Sequence, residues 1–235
     1  SRGLGDVYKR QEQAFSVMGI GPQDNIFSID AAELEQRLKK CPAIRRASVK
    51  RQISSNPTLL VDIDARIPVA WIDCPELGIH PGDATYGALA DKEGVIFPCM
   101  EQVHMPYIRE KRMPSVTLRP PSSGKLSYGV SIRELEAPMK LIELLSGTVT
   151  EYLPSIVSIT TPNDWSFCVR FTNDCQATFS HYGLEHQVEK LSRALRHARQ
   201  THRKISSINL IPEHNIPVIF DDSYEDIPLA EPIEE

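Results

Sequence analysis

Residues 25–73, NIFSIDAAELEQRLKKCPAIRRASVKRQISSNPTLLVDIDARIPVAWID, decide the fold. Ser28-Ile29-Asp30 is a helix-start signal placed just ahead of an apolar-periodic run. Ile29, Leu34, Leu38 and Ile44 can share one face, while Glu33, Glu35, Arg37 and Lys39 point to water. Pro42 cannot continue a helix, so the helix is expected to stop near Lys40 or Cys41. An extended segment follows from Ala47 to Ile53, with Ala47, Val49 and Arg51 alternating against Ser48, Lys50 and Gln52. Ser54-Ser55-Asn56-Pro57 has turn chemistry. The return segment, Leu59 to Ile72, alternates again. The stretch therefore reads as a helix followed by a β-hairpin.

Working outward, residues 74–85 carry Pro75, Gly78, Pro81 and Gly82 and read as a connection. Tyr86 to Phe97 is a second hairpin, turning at Lys92-Glu93-Gly94. Cys74 and Cys99 bracket it and could be joined or remain thiols. Pro106, Pro114, Pro120 and Pro121 forbid long helices in 100–130, where Ser115 to Arg119 is one candidate strand. Ile132 to Leu145 reads as a helix with Leu135, Met139, Ile142 and Leu145 on one face. Pro138 suggests a true start near Ala137, since proline is tolerated in a first turn. Ile156 to Thr160 is a strand, and Trp165–Thr172 pairs with Cys175–His181 about a two-residue turn, Asn173-Asp174. In that register facing positions sum to 347, which sets Cys168 against Phe179 and disfavours a Cys168–Cys175 disulfide.

Leu184 to His202 is the cleanest helix, with Leu184, Val188, Leu191, Leu195 and Ala198 on one stripe. Lys190, Arg193, Arg196 and Arg199 run along an outer flank, a pattern that by itself describes a solvated face. Ile205–Leu210 and Ile216–Phe220 are the last two strands. The net charge of −5 is unevenly spread. Without the seven acids of 221–235 and the net +2 of residues 1–11, residues 12–220 are neutral. A neutral body argues against a large nucleic-acid footprint. The acidic, proline-bearing stretch 221–235 has the composition of a disordered segment. Five cysteines do not make a disulfide scaffold, and no apolar run is long enough to span a bilayer.

These motifs carry a family resemblance. Asp24-Asn25-Ile26-Phe27-Ser28-Ile29-Asp30, followed by Leu38 and Cys41-Pro42-Ala43-Ile44, resembles the "NIF-x-hydrophobic-D … L-x-x-x-P-x-V" helix of a POTRA domain. Asn56-Pro57-Thr58-Leu59 with Arg66-Ile67-Pro68-Val69-Ala70 resembles the "P-x-T-L … E-R-x-P-V-A" hairpin of that domain. Ala65 stands where the family usually has Glu, and Ile44 where it often has Val. The form is similar to the bacterial cell-division family FtsQ/DivIB. Leu89-Ala90-Asp91 through Gly94-Val95-Ile96-Phe97 resembles the "L-V-D-x-x-G-x-V-F" opening of the FtsQ β-domain. Gly183, Lys190-Leu191, Leu195 and Ile208-Asn209-Leu210 resemble its closing helix and strand, with Asn209 in place of Asp.

The resemblance implies an α+β fold: a POTRA domain, helices on a small sheet, over 12–73, then a mostly antiparallel β-domain over 74–220. Residues 1–11, SRGLGDVYKRQ, are similar to translated sequencing-adaptor sequence and are expected to be a non-native scar. The first POTRA strand, a cytoplasmic stub and a membrane helix would then precede Glu12 in the native protein. The implied role is a single-pass inner-membrane divisome scaffold with this region in the periplasm, coupling septum assembly to wall synthesis without catalysis or cofactor. Its FtsB/FtsL-type partner would add a strand beside Ile216, Val218, Ile219 and Phe220 and meet Lys190, Arg193, Arg196 and Arg199. The resemblance leaves partners of the POTRA face unnamed.

Two other readings make different demands. A POTRA module of an outer-membrane assembly or secretion factor requires tandem repeats or a following barrel, and neither pattern follows residue 73. A small Cys/His hydrolase requires a thiolate beside an imidazole, for which Cys168 and His181 are the candidates. The seven histidines show no zincin spacing, and His181 with His186 has no further metal ligands nearby in sequence.

Overall fold

The computed structural model describes residues 19, 25, 27–53, 58–100, 104, 108, 112–147 and 153–221. It has an α+β fold in two compact units, residues 1–113 with 120–133, and residues 114–119 with 134–235. Residues 1–18 and 222–235, with the readings placed on them, lie outside the described residues.

In the first unit the first helix, α1, spans Ala31–Lys39. Asp30 caps it, its Oδ1 accepting the N–H groups of Ala32 (2.8 Å) and Glu33 (3.3 Å). Such a cap contributes about 1 kcal/mol. The hairpin pairs β1 (Ile44–Gln52) with β2 (Thr58–Ala65) antiparallel, Ala47 facing Ile63 and Val49 facing Val61. These residues close over Leu34 and Leu38 in a small core of their own. The expected alternation thus holds. The opposite face sets Arg46 across from Asp64 and Ser48 across from Asp62. Glu35 Oε2 accepts the Val49 N–H at 3.1 Å, satisfying a donor on the strand that a side chain of α1 can reach.

The return segment is not continuous to Ile72. It breaks after Ala65, and β3 (Ala70–Asp73) pairs with β4 (Ala88–Ala90) instead of β1. Pro68 has no N–H for a ladder, so the chain leaves one sheet there and enters another. β4 pairs in turn with β5 (Ile96–Pro98). Trp71, Leu89, Phe97, Ala43 and Cys99 form the core beneath them. Gly87 admits no side chain, because a Cβ there would lie 2.0 Å from the Asp83 carbonyl oxygen. Within the first unit β3, β4 and β5 group with the hairpin.

Arg66 and Asp91 hold that grouping together. Asp91 is buried, and its Oδ2 lies 2.5 Å from Arg66 Nη1. Its Oδ1 accepts the N–H groups of Glu93 (2.9 Å) and Val95 (3.0 Å), which shapes the β4–β5 turn. Arg66 Nε donates to the Pro42 carbonyl at 3.1 Å, just past the end of α1. A bulge at Arg45 aims that residue at Glu93, with Nη2 to Oε1 at 2.5 Å.

Cys41, Cys74, Cys168 and Cys175 are free thiols, so Cys74 and Cys99 are not joined. Burial pushes the Cys74 thiol up from its ordinary value. His104 is buried against Phe97, ring centroids 5.3 Å apart, and its Nδ1 accepts the Met100 N–H at 2.9 Å. Burial lowers its pKa to about 4. The unfolded imidazole takes its proton near its ordinary value of 6.5. Between those two values the unfolded state binds more protons, so stability is full above 6.5 and falls as the pH drops toward 4. The cost is expected to reach roughly 2–3 kcal/mol by pH 4.5. Urea midpoints at pH 7 and 4.5 test this, and His104→Phe should remove that part of the acid loss.

The second unit orders its strands β11-β10-β9-β8-β7-β6. They are β6 (Ser115–Thr117), β7 (Ile156–Thr160), β8 (Ser166–Phe171), β9 (Gln176–Ser180), β10 (Lys204–Asn209) and β11 (Val218–Asp221). The second helix, α2 (Arg133–Gly147), connects β6 to β7, and the third, α3 (Leu184–Gln200), connects β9 to β10. Both of those strand pairs are parallel, as helical crossovers require, and the remaining three are antiparallel.

Two sequence expectations need correction in this unit. Facing positions of β8 and β9 sum to 346, Phe167 against Phe179 and Cys168 against Thr178, not to 347. The loop holds three residues, 172–174, with Asp174 at φ +63, where a two-residue turn was expected. The helix does not begin at Ala137 either: Pro138 sits inside α2. The ring removes one donor, but Leu135, Pro138, Met139, Leu141 and Ile142 are all buried, and that burial outweighs the lost bond.

A candidate partner-binding edge

The arrangement of α3 and β11 starts at Gly183, which takes φ +66 and turns the chain from β9 into the helix. Buried Gln187 fixes that turn: its Oε1 accepts the Ser180 N–H at 2.8 Å, and its Nε2 donates to Ser180 Oγ and the Tyr182 carbonyl. Leu184, Val188, Leu191 and Ala198 are buried as the stripe predicts, with Leu195 half-buried. The basic flank does not survive whole. Lys190 is buried, and its Nζ donates to the Pro212 carbonyl at 2.8 Å, tying α3 to the loop before β11. It is a structural anchor, not part of an outer row. Arg193, Arg196 and Arg199 are exposed, and Arg193 pairs with Glu189 at 3.3 Å.

Sequence reasoning ended the row at Arg199 and missed two more bases. Arg203 lies over the Phe220 ring, 3.5 Å from its centroid, and Lys204 Nζ is 3.8 Å from Asp221 Oδ2. The signal was present, since residues 190–204 contain six bases and no acid. The end of β11 is thus brought to the end of α3.

β11 closes one side of the strand order, and no described strand pairs with its outer edge. Asn209 N–H bonds the Pro217 carbonyl at 3.0 Å, and Ile208 faces Val218. Bonded and non-bonded pairs alternate in an antiparallel ladder, so the N–H and C=O of Val218 point outward. Ile219 is 64% exposed, while Ile216, Val218 and Phe220 are half-buried. A bulge at Ser206 increases the local twist of β10. This is an edge that can accept an extended segment, with cations beside it.

The thiol chemistry points elsewhere. Burial raises the pKa of Cys168, and burial with the neighbouring Cys168 takes Cys175 to about 11. A nucleophilic cysteine needs the opposite shift. His181 sets its ring edge-on to Phe167 at 5.4 Å, and its Nε2 is buried without a hydrogen-bond partner, so no Cys168–His181 bond forms through it. Among the described residues no group of three His, Cys, Asp or Glu could hold a metal. Among them also, no helix is long and apolar enough to cross a membrane.

Residues 5–64 match the family model of the POTRA domain, FtsQ-type. The match begins inside the stretch expected to be non-native and runs through α1, β1 and nearly all of β2. No curated protein matches the chain. The chain carries a POTRA domain of the FtsQ type, as the FtsQ/DivIB reading of its sequence requires.

Proposed function

We propose that this chain is the extracytoplasmic part of a non-enzymatic divisome scaffold, anchored in the inner membrane by a segment preceding it. Its POTRA domain spans 12–73 and its FtsQ-type β-domain 74–220, and it couples septum assembly to wall synthesis by holding other division proteins. The division role is supported by the FtsQ-type POTRA match. The observation that supports the binding mode is the open edge of β11, with Arg203 over the Phe220 ring and Lys204 beside Asp221 at its end. An FtsB/FtsL-type segment adds to β11 as a further antiparallel or parallel strand. Arg193, Arg196 and Arg199 meet its acids and act mainly on orientation and on-rate. Lys190 serves this surface only by fixing the helix.

A binding titration with a synthetic FtsB-type C-terminal segment tests the reading. Val218→Pro removes an outward donor and is expected to weaken binding about tenfold or more at any salt concentration. Arg193→Glu with Arg196→Glu should weaken it by a similar factor at low salt and much less at high salt. Wild-type affinity in both variants, with the fold intact by circular dichroism, would refute the edge as the site.

A further inference from the structure

We infer that the acidic segment 222–235 of this chain docks in cis on the basic cluster Arg196, Arg199, Arg203 and Lys204 at the end of α3. The charge balance is internal. Residues 222–235 carry six acids and no base, and residues 190–204 carry six bases and no acid. The geometry delivers one to the other. β11 runs antiparallel to β10, with Asp221 facing Lys204, so the chain leaves β11 at the point where α3 has just ended. The first acid of the run, Asp221, already lies 3.8 Å from Lys204, and Arg203 stacks on Phe220 one residue earlier. Arg196 and Arg199 are exposed on the last turns of α3 directly before them. Cations there also complement the negative end of the helix.

The reach is ample. Fourteen residues extend to about 45 Å, while the whole of α3 is about 25 Å long. A tether this short gives an effective concentration of about a millimolar, so weak ion pairs suffice to keep the segment in place. Docking would screen the α3 face from other acidic chains. That consequence rests on the binding reading above; the docking itself does not.

The test therefore uses no partner protein. Backbone amide spectra of the full chain are compared with those of the chain ended at Asp221. Shift differences are expected to concentrate between Arg196 and Lys204 and to shrink at least fivefold from 0.1 M to 1 M salt, as the screening length falls from about 10 Å to about 3 Å. A peptide of residues 222–235 should move the same amides of the shortened chain. A variant with Glu225→Gln, Asp226→Asn, Glu231→Gln, Glu234→Gln and Glu235→Gln leaves α3 and β11 untouched and should give the spectrum of the shortened chain. Identical spectra for the full and shortened chains at 0.1 M salt would overturn the proposal, as would differences that persist at 1 M. Loss of FtsB-type binding in the edge variants, with these spectra unchanged by shortening, would uphold the binding reading alone.

Discussion

Replacing Asp91 by alanine is expected to destabilise the first unit by about 3–5 kcal/mol, because it strands a nearly buried guanidinium. Arg66 Nη1 sits 2.5 Å from Asp91 Oδ2, and Glu93 Oε2, its next carboxylate, is 3.8 Å away on an exposed side chain. The loss goes beyond the ion pair. Asp91 Oδ1 also accepts two backbone N–H groups in the β4–β5 turn, and those donors would need water that a buried site supplies poorly. Arg66→Met alone should cost a similar amount by leaving the carboxylate unpaired. The double variant Arg66→Met with Asp91→Ala should recover part of the sum, since removing both partners leaves neither charge buried and unpaired. Urea unfolding of the four proteins closes the cycle. Additive losses in the double variant would show that the two side chains do not act as a pair. This clasp joins the end of the POTRA-type hairpin to the opening turn of the next segment, two stretches that the sequence presents as separate motifs.

Phe167→Ala is the second large effect, expected at about 3–5 kcal/mol in the second unit. Phe167 is fully buried on β8 and faces Phe179 on β9, rings 5.6 Å apart and 9° from parallel, with His181 edge-on beside it. Removing the ring leaves a cavity lined by Phe179 and His181 in the middle of the strand order, where the backbone cannot close in. Denaturant midpoints give the size of the loss. Phe167→Leu, which keeps most of the volume, should lose less than half as much. Equal losses for both would assign the effect to the aromatic pair instead of the volume.

How much of this was legible follows from how local each determinant is. α1 could be read between Asp30 and Pro42 because its cap and its stop are both neighbours in sequence. The stripe from Leu184 to Ala198 declared α3 for the same reason. The β8–β9 register failed because the choice between a two- and a three-residue loop depends on Asp174 adopting a left-handed backbone, which Asn173-Asp174 permits but does not dictate. Pro138 misled because its local penalty is visible and the burial of Leu135 and Met139 that offsets it is not. Lys190 shares its periodicity with the exposed arginines. Only the Pro212 carbonyl, 22 residues away, turns it inward. The parallel pairing of β9 with β10 likewise needs the whole crossover before it can be seen. At the candidate edge, the strand was legible and the partnering bases Arg203 and Lys204 were not, since both lie beyond the helical repeat.

The terminal place of β11 also sets its dynamics. Among the described strands it has one neighbour, its side chains are half-exposed or exposed, and none belongs to the fully buried core. It can therefore open by local unfolding at a free energy below that of the unit as a whole, and its amides should exchange faster than those of β8 and β9. A segment bound to its outer edge would stabilise β11 itself by mass action before it stabilised anything else. Recognition at this edge would then be read as a slowing of exchange along β11 and β10, with β8 and the rest of the unit left as they were.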